Sequence, residues 1–147
     1  MKTIVRNKIA TYNYFIEDRY EAGIKLVGSE IKSIRAGKVS INEAYVTFKN
    51  NEAFITNMHI AIYEQASIFN HKETRPRKLL LHNREIVKLF SKSKEQGYSV
   101  IPLSIYLKDG LAKVEIALAK GKKDYDKRED LKKKDQDMRL KKTLSKY

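Results

Sequence analysis

Short runs of apolar and aromatic residues recur along this chain and predict antiparallel strands. The runs are 11–17, 20–27, 44–49, 53–58, 100–108 and 112–119, and apolar and polar positions alternate clearly in the last two. These segments are rich in Tyr, Phe, Ile and Val, which favour strands. Asn50 and Asn51 tolerate the positive φ of a tight turn, and Asp109-Gly110 is a strong hairpin signal. The segments therefore predict three hairpin-like pairs, the first of them turning at residues 18–19.

Two other segments have the three- and four-residue spacing of a helix. Segment 83–97 places its apolar residues on one face, with a predicted cap at Asn83 and a stop at Gly97. A shorter helix is predicted over 30–36, with Ser29 as its cap. The polar face of this second helix carries Glu30, Lys32, Ser33 and Arg35.

The combination of six strands and two or three helices predicts a mainly β fold with peripheral helices. Closing the sheet into a small antiparallel barrel would remove exposed strand edges, which otherwise pair with other chains. A length of 147 residues suits one domain plus an extension. We expect the barrel to comprise residues 1–119 and a basic C-terminal tail to comprise residues 120–147.

The tail changes the picture because it carries twelve Lys and Arg against six Asp and Glu. Its net charge of +6 is almost half of the +13 of the whole chain. Few of its residues are apolar, so burial cannot offset the entropy lost on ordering, and we expect the tail to be disordered in solution. A basic tail on a folded body predicts a polyanionic partner, and nucleic acid is the first candidate. A solubility tail without a binding role is the alternative.

Several classes of function are disfavoured by what the sequence lacks. It contains no Cys, so disulfides and thiolate sites are excluded, which is compatible with the cytoplasm. We find no apolar run typical of a signal peptide or a membrane span, and no clean apolar face on the tail for binding to a membrane. His59, His71 and His82 match no common metal-ligand spacing. No cofactor and no catalytic residues are predicted.

Three basic clusters are candidates for contact with RNA. The first is the helix face with Lys32 and Arg35, the second is Arg75-Pro76-Arg77-Lys78, and the third begins at Lys120. Proline stiffens the second cluster, and guanidinium groups bind phosphate in a bidentate way. Aromatic and imidazole rings lie close to it in sequence, and unpaired bases stack on such rings. A solvated helix face and an ordinary basic loop remain the simpler alternatives for the first two clusters.

The strings that carry these clusters resemble one family over nearly the whole chain, the tmRNA-binding proteins known as small protein B or SsrA-binding protein. The strings are YFIE from Tyr14, EAGI from Glu21, GSEIKSIRAGK from Gly28, RPRKLLLHNREI from Arg75 and GKKDYDKR from Gly121. The last two are the most specific. One departure is Ile62, where the family pattern has Pro before Tyr-Glu.

The resemblance implies an OB-like antiparallel β-barrel with peripheral helices and a tail that folds on the ribosome. It implies a factor of trans-translation in the bacterial cytoplasm, without bond chemistry of its own. Such a factor binds the tRNA-like domain of tmRNA and, with elongation factor Tu and GTP, brings it to the A site of a stalled ribosome. Its tail probes the empty decoding centre of the small subunit and the mRNA channel.

The resemblance also assigns residues to each role. Contact with tmRNA is carried over to Glu30, Lys32, Arg35, Arg77, Lys78, Leu81 and His82. The decoding-site role is carried over to Gly121, Lys122, Lys123, Tyr125, Asp126, Lys127 and Arg128. Glu30 is expected to accept hydrogen bonds from base or sugar groups, since a carboxylate repels phosphate. A general RNA chaperone and a permanent ribosomal or assembly protein are the rival hypotheses.

Overall fold

The strand-forming segments become nine strands in the computed structural model, which describes residues 1–62, 71–123 and 128. The strands are β1 (Lys2–Arg6), β2 (Tyr14–Ile24), β3 (Val39–Ser40), β4 (Tyr45–Lys49), β5 (Glu52–Thr56), β6 (His59–Ile60), β7 (Arg77–Leu80), β8 (Tyr98–Lys108) and β9 (Leu111–Gly121). The helices of the described ranges are α1 (Ala10–Asn13), α2 (Gly28–Arg35) and α3 (Asn83–Ser93). The predicted mainly β fold with peripheral helices is confirmed.

Seven of the strands form one antiparallel sheet in the order β1-β8-β9-β2-β7-β5-β4, and β3 pairs with β6. Two predicted hairpins are present, β4–β5 and β8–β9. Their turns have the expected positive φ, 52° and 61° at Asn50 and Asn51, and 52° and 79° at Asp109 and Gly110. The sequence signals for these turns were therefore sufficient, because few residues adopt that conformation without strain.

The prediction of a hairpin at residues 18–19 is wrong. β2 runs without a break from Tyr14 to Ile24 and pairs along β9, with a register shift between Ile16 and Arg19. Because β2 pairs with β9 on both sides of residues 18 and 19, the chain does not reverse there. A bulge absorbs the irregularity in the pattern instead. Residues 11–13, which were predicted to start this strand, belong to α1.

Closure of the barrel is not confirmed by the strand pairing. β1 and β4 are the two edges of the seven-stranded order, and no pairing joins them in the described part of the chain. The sheet is nevertheless curved, since β4 packs against β8 although four strands separate them in the order. Curvature of this kind encloses a core on one face of the sheet.

That core takes the alternate side chains of the long strands. Ala22, Leu79 and Val114 are buried on the inner face. Ile34 of α2 and Leu89 of α3 pack against the same cluster. Burial of large aliphatic side chains contributes about 1.5–3 kcal/mol each. The two helices thus pack on the inner side, whereas α1 covers part of the outer side, where Ala10, Ile101 and Ala119 form a second buried cluster.

One charged side chain also points inward. Arg77 lies two residues before Leu79 in β7 and shares its inward face, and its side chain is 0% exposed. Its Nε donates to Oε2 of Glu30 in α2. Its Nη1 donates to the carbonyl of Met58 at 2.9 Å, and its Nη2 to the carbonyl of Glu73 at 3.1 Å. Arg77 therefore joins β7 to α2 and to two connecting segments.

Glu30 is equally buried and accepts several hydrogen bonds. Its Oε1 accepts from Nη2 of Arg75 at 2.5 Å and from the backbone N–H of Val27 at 2.9 Å, which caps the start of α2. Burial alone would raise the pKa of Glu30, but the hydrogen bonds from Arg75, Val27 and Arg77 outweigh it and lower the pKa. The predicted cap Ser29 instead bonds Nδ1 of His71 at 2.8 Å.

We expect Glu30→Gln to destabilise the fold by about 3–5 kcal/mol, because it leaves the buried guanidinium of Arg77 without a counter-charge. Urea titration at neutral pH measures the loss. Asp18→Asn is the matched control, since its ion pair with Lys88 is exposed and spans 3.9 Å. Equal stability of the two variants would contradict this role of Glu30.

The lowered pKa of Glu30 also predicts a pH dependence. A carboxylate whose folded pKa lies below its ordinary value of 4.5 stabilises the fold above that value, and the contribution is lost as the pH falls through the folded pKa. The unfolding free energy of the wild type should therefore decline more steeply below about pH 4.5 than that of Glu30→Gln. If the unfolding free energies of the two proteins fell in parallel at acid pH, this role of the Glu30 carboxylate would be contradicted.

Candidate nucleic-acid interface

The structure divides the seven residues predicted to contact tmRNA into a buried pair and an exposed set. Glu30 and Arg77 are 0% exposed and are engaged with each other. In this conformation neither side chain is accessible to RNA. Glu30 was predicted on an exposed polar face of α2, and it is buried instead. Direct contact of Glu30 and Arg77 with RNA stays a prediction. The exposed or half-exposed residues are Lys32, Arg35, Lys78, Leu81 and His82.

Three of the predicted residues lie together. Lys78, Leu81 and His82 line one groove of about 720 Å³ at the junction of β7 and α3. Lys32 and Arg35 are exposed on α2 and do not line this groove. Strand alternation explains how the basic cluster divides, since it turns Arg77 inward and Lys78 outward.

A glycine forms the floor of the groove. In the strand register, Gly23 of β2 lies opposite Leu80 of β7 on one side and Lys113 of β9 on the other. A Cβ at this glycine would lie 3.2 Å from the Cβ of Leu80, closer than ordinary van der Waals contact. Gly23 therefore permits a close approach of β7 and leaves a depression between an apolar and a cationic side chain.

The groove holds charges of both signs. Nζ of Lys78 is paired with Oε1 of Glu52 at 3.1 Å. Glu21 accepts a hydrogen bond from the Tyr106 hydroxyl at 2.5 Å and lies 3.6 Å from Nζ of Lys108. The hydrogen bond from Tyr106 lowers the pKa of Glu21, so this carboxylate is ionised at neutral pH. The groove therefore offers an oriented acceptor beside its cations.

The start of α3 fixes the far side of the groove. His82 precedes the helix, and its backbone N–H donates to Oε1 of Glu85 at 3.1 Å. The predicted cap, Asn83, is already the first helical residue. This contact uses the backbone of His82 at the point where the chain passes from β7 to α3. The side chain of His82 is exposed and lines the groove.

The sequence analysis did not identify the other residues of the groove as site residues. Among them are Glu21, Gly23, Leu80 and Lys113. Strand alternation could have predicted that these residues face outward, since each is adjacent in sequence to a buried residue on the opposite face of the sheet. The register that brings the three strands together has no such signal, because it depends on contacts between distant segments.

The predicted tail residues are described only in part. Gly121 ends β9, and its N–H donates to the carbonyl of Gly97 at 2.8 Å. Lys122 donates from its backbone to Asn13 and lies with Nζ 4.9 Å from the ring centre of Phe15. Lys123 and Arg128 are exposed. Tyr125, Asp126 and Lys127 lie outside the described residues.

The histidines are held by separate contacts. Nε2 of His59 lies 2.5 Å from Oε2 of Glu73, and Nε2 of His71 lies 3.0 Å from the carbonyl of Ile60. Among the described residues, no three His, Cys, Asp or Glu side chains come together to hold a metal ion. No helix in those ranges is long and apolar enough to cross a membrane.

Comparison with known proteins gives a consistent result. The family model described as SmpB protein matches residues 4–146. An SsrA-binding protein of Acholeplasma laidlawii is 61% identical over 92% of this chain and 91% of its own length. An SsrA-binding protein of Pelobacter propionicus is 52% identical over 97% of this chain and 94% of its own length.

A solved structure shares the fold at a TM-score of 0.69 and 43% identity, covering 82% of this chain and 85% of the other. It is described as "tmRNA-SmpB: a journey to the center of the bacterial ribosome". With a family match across nearly all of its length and close relatives that it covers almost end to end, the chain belongs to the SmpB family.

Proposed function

We propose that this protein binds the tRNA-like domain of tmRNA and delivers it to the A site of stalled ribosomes in trans-translation. The observation that best supports the proposal is the groove, which brings Lys78, Leu81 and His82 together at the surface. The names of the relatives support it, since they are SsrA-binding proteins. Such a role operates in the cytoplasm, where ribosomes translate.

The chemistry of the groove suits a folded RNA more than a simple polyanion. Lys78 and Lys113 can neutralise phosphates, and the carboxylate of Glu21 can accept hydrogen bonds from base N–H groups or a 2′-hydroxyl. Leu80 is 55% exposed and offers an apolar contact to a ribose or a base. A fixed carboxylate repels phosphate, so it selects RNAs that present donors at that point.

Direct contacts are therefore assigned to the exposed predicted residues together with the groove residues that sequence reasoning missed. Lys32 and Arg35 would extend the contact along α2. Glu30 and Arg77 support the interface by positioning β7 from the buried side.

On the ribosome, the tail would enter the decoding centre and the mRNA channel through Gly121 and the basic residues that follow it. Elongation factor Tu with GTP would accompany the complex through tmRNA.

We also infer that the curved sheet is an OB-like barrel whose closing side is β4 against β8. The packing of these two strands supports this assignment. Sheets of this kind present one open face and adjoining loops to nucleic acid. The groove between β2, β7 and β9 lies on such a face, outside the buried core.

Binding of the isolated tRNA-like domain, compared with an ordinary tRNA at matched physiological salt, tests the proposed function. We expect a clear preference for the tRNA-like domain. Equal and strongly salt-dependent binding to both RNAs would favour a general RNA binder and overturn the proposal. Stoichiometric sedimentation with ribosomal subunits in growing cells would instead favour a permanent ribosomal protein.

We expect Glu21→Ala to weaken binding to the tRNA-like domain by about ten- to a hundredfold, because a charged hydrogen bond of about 1.5–3 kcal/mol is lost. Glu115→Ala is the matched control. Glu115 lies directly opposite Glu21 in the register of β2 and β9, pairs with exposed Arg19 and does not line the groove. Titration calorimetry measures both variants. Similar affinities for the two would contradict a specific role of the groove.

A stop codon after Lys123 should leave affinity for the tRNA-like domain largely unchanged and abolish peptide tagging. The position matters because residues 120 and 121 pair within the sheet and Lys122 bonds to Asn13, so a stop after Ala119 would also damage β9. Binding assays and tagging on stalled ribosomes measure the two effects. Loss of binding by the shortened chain would refute the proposed division of labour.

A further inference from the structure

A second cavity adjoins the groove. It has a volume of about 290 Å³ and lies between the end of β4 and the outer face of α3. Phe48, Val87 and Phe90 form its apolar lining. Val87 is 50% exposed and Phe90 40% exposed, so two apolar side chains on one helix face stand open to solvent. Single exposed apolar residues are common, but a cavity formed by several is typical of a binding site.

The cavity is continuous with the groove. Both are lined by Asn50 and Asn51 of the β4–β5 turn and by Ile86 of α3. The positive φ of the two asparagines fixes this turn as a shared rim. A strand of RNA that follows the groove past this rim therefore meets the apolar cavity next.

The charges around the cavity favour RNA over an apolar peptide. Lys49 is exposed and lines the cavity. Nζ of Lys94 lies 4.2 Å from the ring centre of Phe90, a cation–π contact. The rings of Phe48 and Phe90 are 5.8 Å apart and tilted by 57°, so they form two walls rather than one closed stack. Rings flanked by cations bind unpaired bases and their phosphates.

We propose that this cavity receives one unpaired nucleobase of the RNA that occupies the groove. The base would pack against Phe90 and Val87, its edge would face the amides of Asn50 and Asn51, and the flanking phosphates would lie near Lys49 and Lys94. The volume is close to the lower limit of ligand sites, about 300 Å³, and suits a single base. The inference rests on the proposed binding of tmRNA and adds a specificity subsite to it.

Substitution of Phe90 tests the subsite with a transcript of the tRNA-like domain as the probe. We expect Phe90→Leu to weaken binding about tenfold, since it keeps an apolar side chain but removes the ring face. Phe90→Tyr keeps the ring and should bind like the wild type. Because Phe90 is 40% exposed, both variants should fold, and thermal unfolding checks this.

A second pair of variants tests the cavity without changing a ring. Val87→Glu places a carboxylate at its wall, where it would repel an incoming nucleotide and weaken binding. Ser91→Glu adds the same charge at an exposed position of the same helix that does not line the cavity, and should bind like the wild type. Equal weakening by both variants would indicate long-range repulsion and overturn the subsite.

A double-mutant cycle identifies the base. Each unpaired nucleotide of the probe is replaced in turn by an abasic residue, and wild type and Phe90→Leu are titrated with each RNA. At one position we expect the abasic RNA to lose affinity for the wild type but to lose little more with Phe90→Leu. Additive losses at every position would overturn the subsite.

The two proposals can fail separately. If Glu21→Ala weakens binding while Phe90→Leu and Val87→Glu do not, the subsite is refuted and binding of tmRNA in the groove stands. If the wild type shows no preference for the tRNA-like domain over an ordinary tRNA, the proposed function itself is refuted.

Discussion

The buried ion pair between Glu30 and Arg77 is the contact on which the rest of the interface depends. Side chains alternate along a strand, so the inward direction of Arg77 sets the outward direction of Lys78 and Leu80. A slip of one residue in β7 would reverse all three. The pair therefore fixes which face of the strand meets solvent, and the groove exists only in that register.

We infer that a charged pair occupies this position because it sets the register of β7, rather than because it adds stability. Removing two charges from water costs several kcal/mol per ion, and apolar replacements of such pairs are often at least as stable. An apolar side chain at residue 77 could not select Glu30 or bond the carbonyls of Met58 and Glu73. The pair thus gives β7 a specific partner in α2 where the hydrophobic core alone would accept several alignments.

The sequence predicted those parts of the fold that depend on local geometry. The turns at Asn50 and at Asp109-Gly110 were correct because positive φ restricts the residues that can form them. The predicted turn at residues 18–19 failed because a bulge in a long strand and a break between two strands disturb the apolar pattern in the same way. Strands of two residues, such as β3 and β6, are too short for any pattern to appear.

The site was predicted less completely because it depends on distant contacts. Alternation within β7 could have divided the basic cluster, since Leu79 had to be buried and Arg77 lies two residues before it. The burial of Glu30 was not predicted, because a carboxylate indicates an exposed position, although Glu30 shares the buried face of α2 with Ser33 and Ile34. Gly23 and Lys113 join the groove only through the register of three strands. Resemblance to a family named Glu30, Arg77 and Lys78 together and gave no indication that the first two are buried while Lys78 is partly exposed.

The distribution of charge separates selectivity from attraction. The tail carries a net charge of +6. The attraction that this charge exerts does not depend on the shape of the partner, so it acts on any polyanion and falls steeply as the salt concentration rises. The groove has a different character, because Glu21 and Glu52 lie among its cations. A carboxylate lowers the affinity for phosphate in general. It raises the affinity only for an RNA that places a hydrogen-bond donor opposite the carboxylate. A body with mixed charge and a tail with excess positive charge can therefore recognise one RNA and still approach the ribosome through general attraction to rRNA.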